Sequence, residues 1–466
     1  MTEARREARA RGDTALPAQL TWGLIALICL APLPFGLVHS VHQAGFFTLV
    51  GLLAVATAEA CRRRGRTPVP LAVLKVEWLL LSIVLVWVGL QMVPLPGLSH
   101  PLWQEAATAL DAPVLGRITL APDLTLEAWL RLLGYAVVFW LALQIGRDRH
   151  AAKAVLLAVL LGNLAYAIYG LTMHFGQFEL ILWAESRTPN QHVVATFVSR
   201  NNYATFVGLG LLAATGLLIS RLVSAAWDLN GRAAWADLAK RLFIDGSALV
   251  AVLVVLLTAL VLATSRGGFA AALIALFVLI ALQLFRASRG VGGRTGAVLV
   301  ALAPMPFVFG TSGGALVERL LNTDVNEEGR FAAFGAATDA IGDAPLAGFG
   351  YGSFQDAFMI YQTRDVEGWY DRLHNDWLEA MFGLGVPMAL VLFTVLSLLV
   401  VRCLRASFAR RRDAVYPMLA VSSSVLIAVH ALVDFSLQLP AVTVTWLTLL
   451  GLGVAQSWRS GQLAAG

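Results

Sequence analysis

Charged side chains are scarce in this chain. They make up 14% of its 466 residues, against roughly 25% in an ordinary soluble protein. That shortage excludes a water-soluble globular class. Cysteine is scarcer still, with three residues, Cys29, Cys61 and Cys403. Cys29 falls inside an apolar run and the other two at ends assigned below to the inner side, so no disulfide is expected. No Cys/His spacing resembles a zinc site. Internal repeats, one signature of a transporter, are missing. Within residues 247–285 the only charge is Arg266.

What the chain has instead is apolar length. Hydrophobic residues make up 58%, in runs near 20 residues, each long enough to cross a hydrocarbon core of about 30 Å. The expected fold is an all-α polytopic membrane protein of about 12 transmembrane helices. The spans read as 20–39, 43–60, 77–94, 128–146, 154–174, 201–220, 245–264, 268–285, 296–312, 379–401, 415–433 and 440–457. Residues 1–19 form a cytoplasmic N-terminal segment, and 20–466 a single membrane domain. No small-residue cleavage pattern follows the first apolar run, so it reads as an uncleaved span.

Lys and Arg orient the spans. With the N-terminus inside, 25 of the 34 Lys and Arg fall on inner segments and the remaining 9 on the outer side. The alternation holds through all expected spans and places both termini in the cytoplasm. The net charge of +5 is then an orientation signal that calls for no nucleic acid. Three outer segments are long: 95–127, 175–200 and 313–378. In the last, 330–342 reads as an amphipathic helix with Phe331, Phe334 and Ala337 on one side. "GDAPLAGFGYGSF" is a turn-rich break, and 354–362 is aromatic enough to lie on the membrane surface. A long, organised loop of this kind points to function.

The candidate chemical residues all lie on that outer side. Arg266 sits in the turn "TSRGG" between two spans, with Gly267 and Gly268 letting backbone approach a ligand; the plain alternative is an arginine snorkelling to lipid headgroups. Arg330 opens the amphipathic helix, or is a solvated loop arginine. Arg200, in "VSRNNYATF", is a third cation or a boundary charge, and Asn201 and Asn202 beside it need partners. His374, in "LHNDWLEAMFGLGVP", meets the tenth span, and a helical reading puts it on a stripe with Trp377, Leu378 and Met381. Its imidazole can accept a proton at neutral pH, or simply bond backbone at a helix start. In "VHALVDFSLQLPA", Asp434 orients a partner or caps the last span. "GFGYG" has no strand–helix frame and is no dinucleotide motif.

Arginines hold phosphate bidentately, and a basic histidine activates a hydroxyl. Together they suit transfer from a lipid-linked diphosphate, a leaving group good enough to need no general acid. Two arginines offset its growing charge, so neither a divalent metal nor another cofactor is required. A transporter would place ionisable groups within its spans, and these spans are nearly free of them. A scaffold protein would leave the outer cluster without a role. Other lipid-linked sugar transferases use an acid just after the first span, where this chain reads "HSVHQ".

Over about residues 190–441 the chain resembles the bacterial O-antigen ligase and O-antigen polymerase superfamily, of C-shaped membrane glycosyltransferases. The motifs are "TFVSRNNYATFVGLGLL", "TSRGGFAAALIAL", "GRFAAFGAATDAIGDAPLAGFGYGSF", "HNDWLEAMFGLG" and "VHALVDFSLQLPA". The resemblance implies a catalytic histidine at His374, flanked by Asn375, and diphosphate-binding arginines at Arg266 and Arg330. It implies an undecaprenyl-diphosphate-linked glycan as donor and lipid A–core as acceptor in a ligase, or a second lipid-linked repeat unit in a polymerase. The setting it implies is the bacterial inner membrane, with the site facing the periplasm among membrane lipids. The chain departs from the pattern at Gly383, where members often carry an acid; Glu379, one turn earlier, is the nearest substitute.

Overall fold

The computed structural model describes residues 16–65, 73–95, 97–185, 191–226, 246–287, 325–362, 366, 369–410 and 412–458. The expected span at 296–312, the start of the large loop at 313–324, and some of the inner basic stretches lie outside them.

The described chain is helical apart from one two-stranded ribbon. In order the helices are α1 (Ala18–Leu30), α2 (Ser40–Arg63), α3 (Lys75–Gln91), α4 (Leu102–Leu110), α5 (Pro122–Ile145) and α6 (Arg149–Phe175). Next come α7 (Arg200–Ala226), α8 (Ser247–Leu262), α9 (Arg266–Ala287), α10 (Val325–Asp343), α11 (Asp376–Leu384), α12 (Val386–Ala409), α13 (Val415–His430) and α14 (Pro440–Ala455). The ribbon pairs Leu180–Ile181 with Ala184–Glu185, antiparallel, in the loop after α6. Among the described residues, α2, α5, α6, α7, α9 and α12 contain segments long and apolar enough to cross a membrane. The apolar helices α1, α8, α13 and α14 are shorter. This is an all-α integral membrane architecture.

Several boundaries differ from expectation for local reasons. The first span was expected to run to 39, but α1 stops at Leu30, ahead of Pro32 and Pro34, which cannot continue a helix. The tenth was expected to begin at 379. Instead α11 ends at Leu384, Gly385 takes φ +76°, and the spanning helix restarts at Val386 with Pro387 in its first turn.

The hub is the α13–α14 hairpin. Every residue of α14 is buried, as expected of a helix apolar all round and enclosed by others. α13 packs on α14, α9, α7 and α12, and α14 packs on α5. By contrast only 22% of the apolar window of α2 or α12 is buried, so those helices present their flanks to lipid. The turn of the hub hairpin, 431–439, is therefore an anchored point that other elements converge on.

The large loop carries its own small core. Ala333, Ala337 and Ala340 of α10 pack with Phe349, Phe354 and Phe382. The buried face of α10 is thus an alanine stripe that lets it approach closely, while Phe331 faces outward at 59% exposure, contrary to the expected Phe331–Phe334–Ala337 face. The aromatics of 354–362 also turn inward: Phe354 and Phe358 stack at 4.7 Å, and each such burial stabilises by roughly 1.5–3 kcal/mol. Gln91, at the end of α3, staples this core to the membrane helices. Its amide donates to Ala347 O and Gly383 O, both at 2.9 Å, and accepts from Tyr351 N at 3.0 Å. "GFGYG" supplies the turn: Gly350 takes φ +104°, a conformation that favours glycine, and its N–H donates to Gly383 O.

Candidate functional site

His374 lies before α11, not on a stripe of it. Its φ is +59°, in the left-handed region that costs energy for a residue with a side chain. Its neighbours hold it there. Asn375 caps α11, its side-chain oxygen accepting from Trp377 N and Leu378 N at 3.1 Å. Glu379 reaches back to accept from Leu373 N at 2.9 Å. Asp376 N donates to Ala431 O, and Asp376 Oδ2 accepts from Leu437 N, both at 2.9 Å. The residues on either side of His374 are thereby tied to α11 and to the hub turn.

That turn presents Asp434. Its side chain is fully buried, and His374 Nδ1 lies 3.3 Å from its Oδ1. Phe435 meets the imidazole edge-on at 4.7 Å. A carboxylate only accepts, so Nδ1 carries the hydrogen, and in the neutral imidazole Nε2 then keeps its lone pair. Burial works to raise the Asp434 carboxyl, but the hydrogen bond from His374 and the neighbouring His430 prevail and hold it below its ordinary value. Asp434 is therefore a partner of the histidine rather than the expected alternative, a helix cap.

Asn201 and Asn202 find the partners their position demanded. Asn201 Nδ2 donates to Asp434 Oδ1 at 3.4 Å, and its Oδ1 accepts from Ser265 Oγ at 2.8 Å. Asn202 Oδ1 accepts from Ser436 Oγ at 3.3 Å. Behind them Thr205 Oγ1 lies 2.5 Å from His430 Nδ1 and 2.9 Å from Ser436 Oγ. His430 was present in a quoted motif but not singled out. One polar network thus joins α7, the α8–α9 turn and the hub turn beneath His374.

The arginines stand apart from that network. Arg266 is exposed at the start of α9 and makes no hydrogen bond or ion pair among the described residues. Ser265 caps this helix, its Oγ accepting from Gly268 N at 3.2 Å, so Arg266 sits at a positive helix end suited to anions. The two glycines serve packing rather than ligand approach. A Cβ at Gly268 would lie 2.6 Å from Ala204 Cβ, and one at Gly267 2.9 Å from Val433. They let α9 close against α7 and the hub.

Arg200 is brought to the same turn by His192, another residue that sequence reasoning passed over. Arg200 Nη1 lies 2.8 Å from His192 Nε2, and His192 Nδ1 lies 2.6 Å from Thr264 Oγ1. Guanidinium only donates, so Nε2 accepts and this imidazole is neutral. Burial, then the charge of Arg200, lowers its pKa, which agrees. Arg330 is half-buried on α10, where its charge acts on Tyr370. Among the described residues it makes no hydrogen bond or ion pair with His374.

Two charges occupy positions expected to be apolar. Arg131, counted above with the outer charges, is buried on α5 and donates to Gln438 Oε1 at 3.3 Å. Glu77 on α3 pairs with Arg402 on α12 at 2.9 Å. At Gly383, where an acid was missing from the expected pattern, a Cβ would lie 3.0 Å from both Gly350 O and Tyr351 Cα. The Gln91–"GFGYG" staple occupies the space a carboxylate would need.

No curated protein matches this chain. The family model described as O-Antigen ligase matches residues 251–394, from within α8 to within α12, a stretch that includes Arg266, Arg330, His374, Asn375 and Glu379. The match supports the resemblance to the O-antigen ligase and polymerase superfamily over that stretch.

Proposed function

We propose that the protein transfers a glycan from an undecaprenyl-diphosphate-linked donor to an acceptor hydroxyl, in the manner of an O-antigen ligase with lipid A–core as acceptor. The observation that carries this reading is the pairing of His374 with a fully buried Asp434 at 3.3 Å, which leaves Nε2 without a partner among the described residues; Asn201 joins Asp434 to Ser265 in the turn of Arg266, itself unpartnered among the described residues. His374 Nε2 takes the proton from the acceptor hydroxyl as its oxygen attacks the sugar's anomeric carbon. The bond from that carbon to the diphosphate oxygen breaks, and undecaprenyl diphosphate leaves with the electron pair. Arg266 and Arg200 hold the diphosphate and offset its charge, with Arg330 contributing from the loop side. Asp434 keeps the imidazole in the required tautomer, as in other acid–histidine pairs. Asn201 and Asn202 brace Asp434 and its turn, and Asn375 and Glu379 fix the histidine backbone.

The setting is the periplasmic face of a bacterial inner membrane, with twelve spans and both termini cytoplasmic. The Lys and Arg asymmetry supports it. Reporter fusions at 62, 290 and 408 should read as inside, and at 110, 185 and 350 as outside. A cytoplasmic signal at 350 would remove the site from its donor. The glycans of a strain lacking the gene test the ligase assignment. Accumulated full-length polymer on the carrier lipid is expected, whereas accumulated single repeat units would assign polymerisation instead.

A further inference from the structure

The reading of His374 as a base leaves one neighbouring group without a task. Asp376 is 5% exposed, lies two residues from His374, and bonds across to the turn that carries Asp434. Its Oδ2 accepts from Leu437 N at 2.9 Å, and its backbone N–H donates to Ala431 O at 2.9 Å. Trp377 Nε1 adds a bond to Ala428 O at 3.1 Å. Leu437 and Ala431 each lie three residues from Asp434, one on either side. The His374–Asp434 distance is thus set by two segments stitched together at Asp376.

The stitch has a brace. Gln438, the residue after Leu437, adjoins the Asp376 carboxyl and accepts from Arg131 Nη2 at 3.3 Å. Arg131 is 8% exposed on a membrane-spanning helix, where a cation is costly without a role. It is the only described cation within α5.

We infer that Asp376 is a positioning residue that latches the His374 segment to the Asp434 turn, braced from α5 by Arg131 through Gln438. The inference rests on His374 acting as the base. Asp376 works as an uncharged carboxyl group. Its Oδ1 is buried with no hydrogen-bond partner among the described residues, a costly position for half of a charge and a tolerable one for a neutral acid. Burial, with Glu379 and Asp434 nearby, pushes its pKa up, in agreement. Asp376 and Asp434 stand on opposite sides of their ordinary range because burial and two carboxyls outweigh the Leu437 amide and Gln438 at the first, while two histidines outweigh burial at the second.

The test uses the purified full chain in liposomes with an undecaprenyl-diphosphate-linked glycan, reading kcat and donor KM separately. Asp376→Asn keeps the shape and the acceptor oxygen, and should hold kcat within about threefold. Asp376→Ala should lower kcat by about 10- to 100-fold with donor KM unchanged, the cost of a catalytic group moved by an ångström or less. If Asp376→Asn is as damaging as His374→Gln, Asp376 acts by charge and the latch is wrong. Wild-type kcat in folded Asp376→Ala overturns it equally. Should Asp376→Ala fail to fold, Gln438→Leu decides: a fall in kcat at constant KM supports the brace, and an unchanged kcat refutes it. Near-normal turnover in His374→Gln, with Asp376→Ala impaired, would instead sink the base assignment, so the two failures are distinguishable.

Discussion

The two flanks of His374 are built in opposite ways. On one side three carboxyl groups, Asp376, Glu379 and Asp434, are 5%, 5% and 0% exposed, and each is bonded to the histidine or to backbone around it. By contrast Arg266 and Arg200 are exposed, and Arg266 has no partner among the described residues. Buried carboxyls need partners that stay in place, because an unpaired one is costly. An exposed guanidinium is cheap to leave free and keeps its donors for an anion. The fixed flank therefore defines the geometry of the base, and the free flank awaits the charged ligand.

This contrast predicts different losses on the two sides. The largest falls on the fixed flank. Asp434→Asn keeps the volume but removes the charge that selects the Nδ1–H tautomer, and should lower kcat by on the order of 10²–10⁴-fold, with donor binding retained in equilibrium measurements. Arg266→Lys comes next. It keeps the charge and loses the fork, so donor KM should rise by roughly 10-fold or more, about the worth of one charge-assisted hydrogen bond; an unchanged KM would mean that Arg266 faces lipid headgroups. A third change probes the staple between the loop and α3. Gly383→Asp, which restores the expected acid, must displace Gly350 O from 3.0 Å and should destabilise by about 1–3 kcal/mol, read as a lowered Tm. Rescue or improvement of activity by that carboxylate would reverse the interpretation of the staple.

The smallest expected effect is that of a chelator. If the free flank neutralises the diphosphate unaided, EDTA should leave transfer rates unchanged. Loss restored by Mg²⁺ or Mn²⁺ would assign part of that task to a metal.

Much of the membrane architecture was legible in the sequence because a bilayer imposes length and apolarity on each span. Its breaks at Pro32–Pro34 and Gly385 were not, since apolar runs continue through them and only local backbone chemistry ends the helices. The site was legible as a set of residue types. His374, Asp434, Asn201 and Asn202 were singled out and meet in one network. What one chain could not reveal was pairing across distant segments. His192 looked like any loop histidine until Arg200 and Thr264 were found on its two nitrogens. Arg131 was hidden by the apolar run around it, and its partner Gln438 lies 307 residues away. His374 looked helical because the residues after it are, yet Asn375 is the cap and His374 takes the left-handed conformation just outside.

The most direct test of the central claim is the turnover of His374→Gln in liposomes, measured beside donor binding. Glutamine preserves hydrogen bonding but cannot take up a proton. The account predicts an unchanged donor Kd and a fall in turnover of on the order of 10²–10⁴-fold. A folded His374→Gln enzyme with near-normal turnover would contradict it, and would make His374 a positioning group with the base to be sought elsewhere.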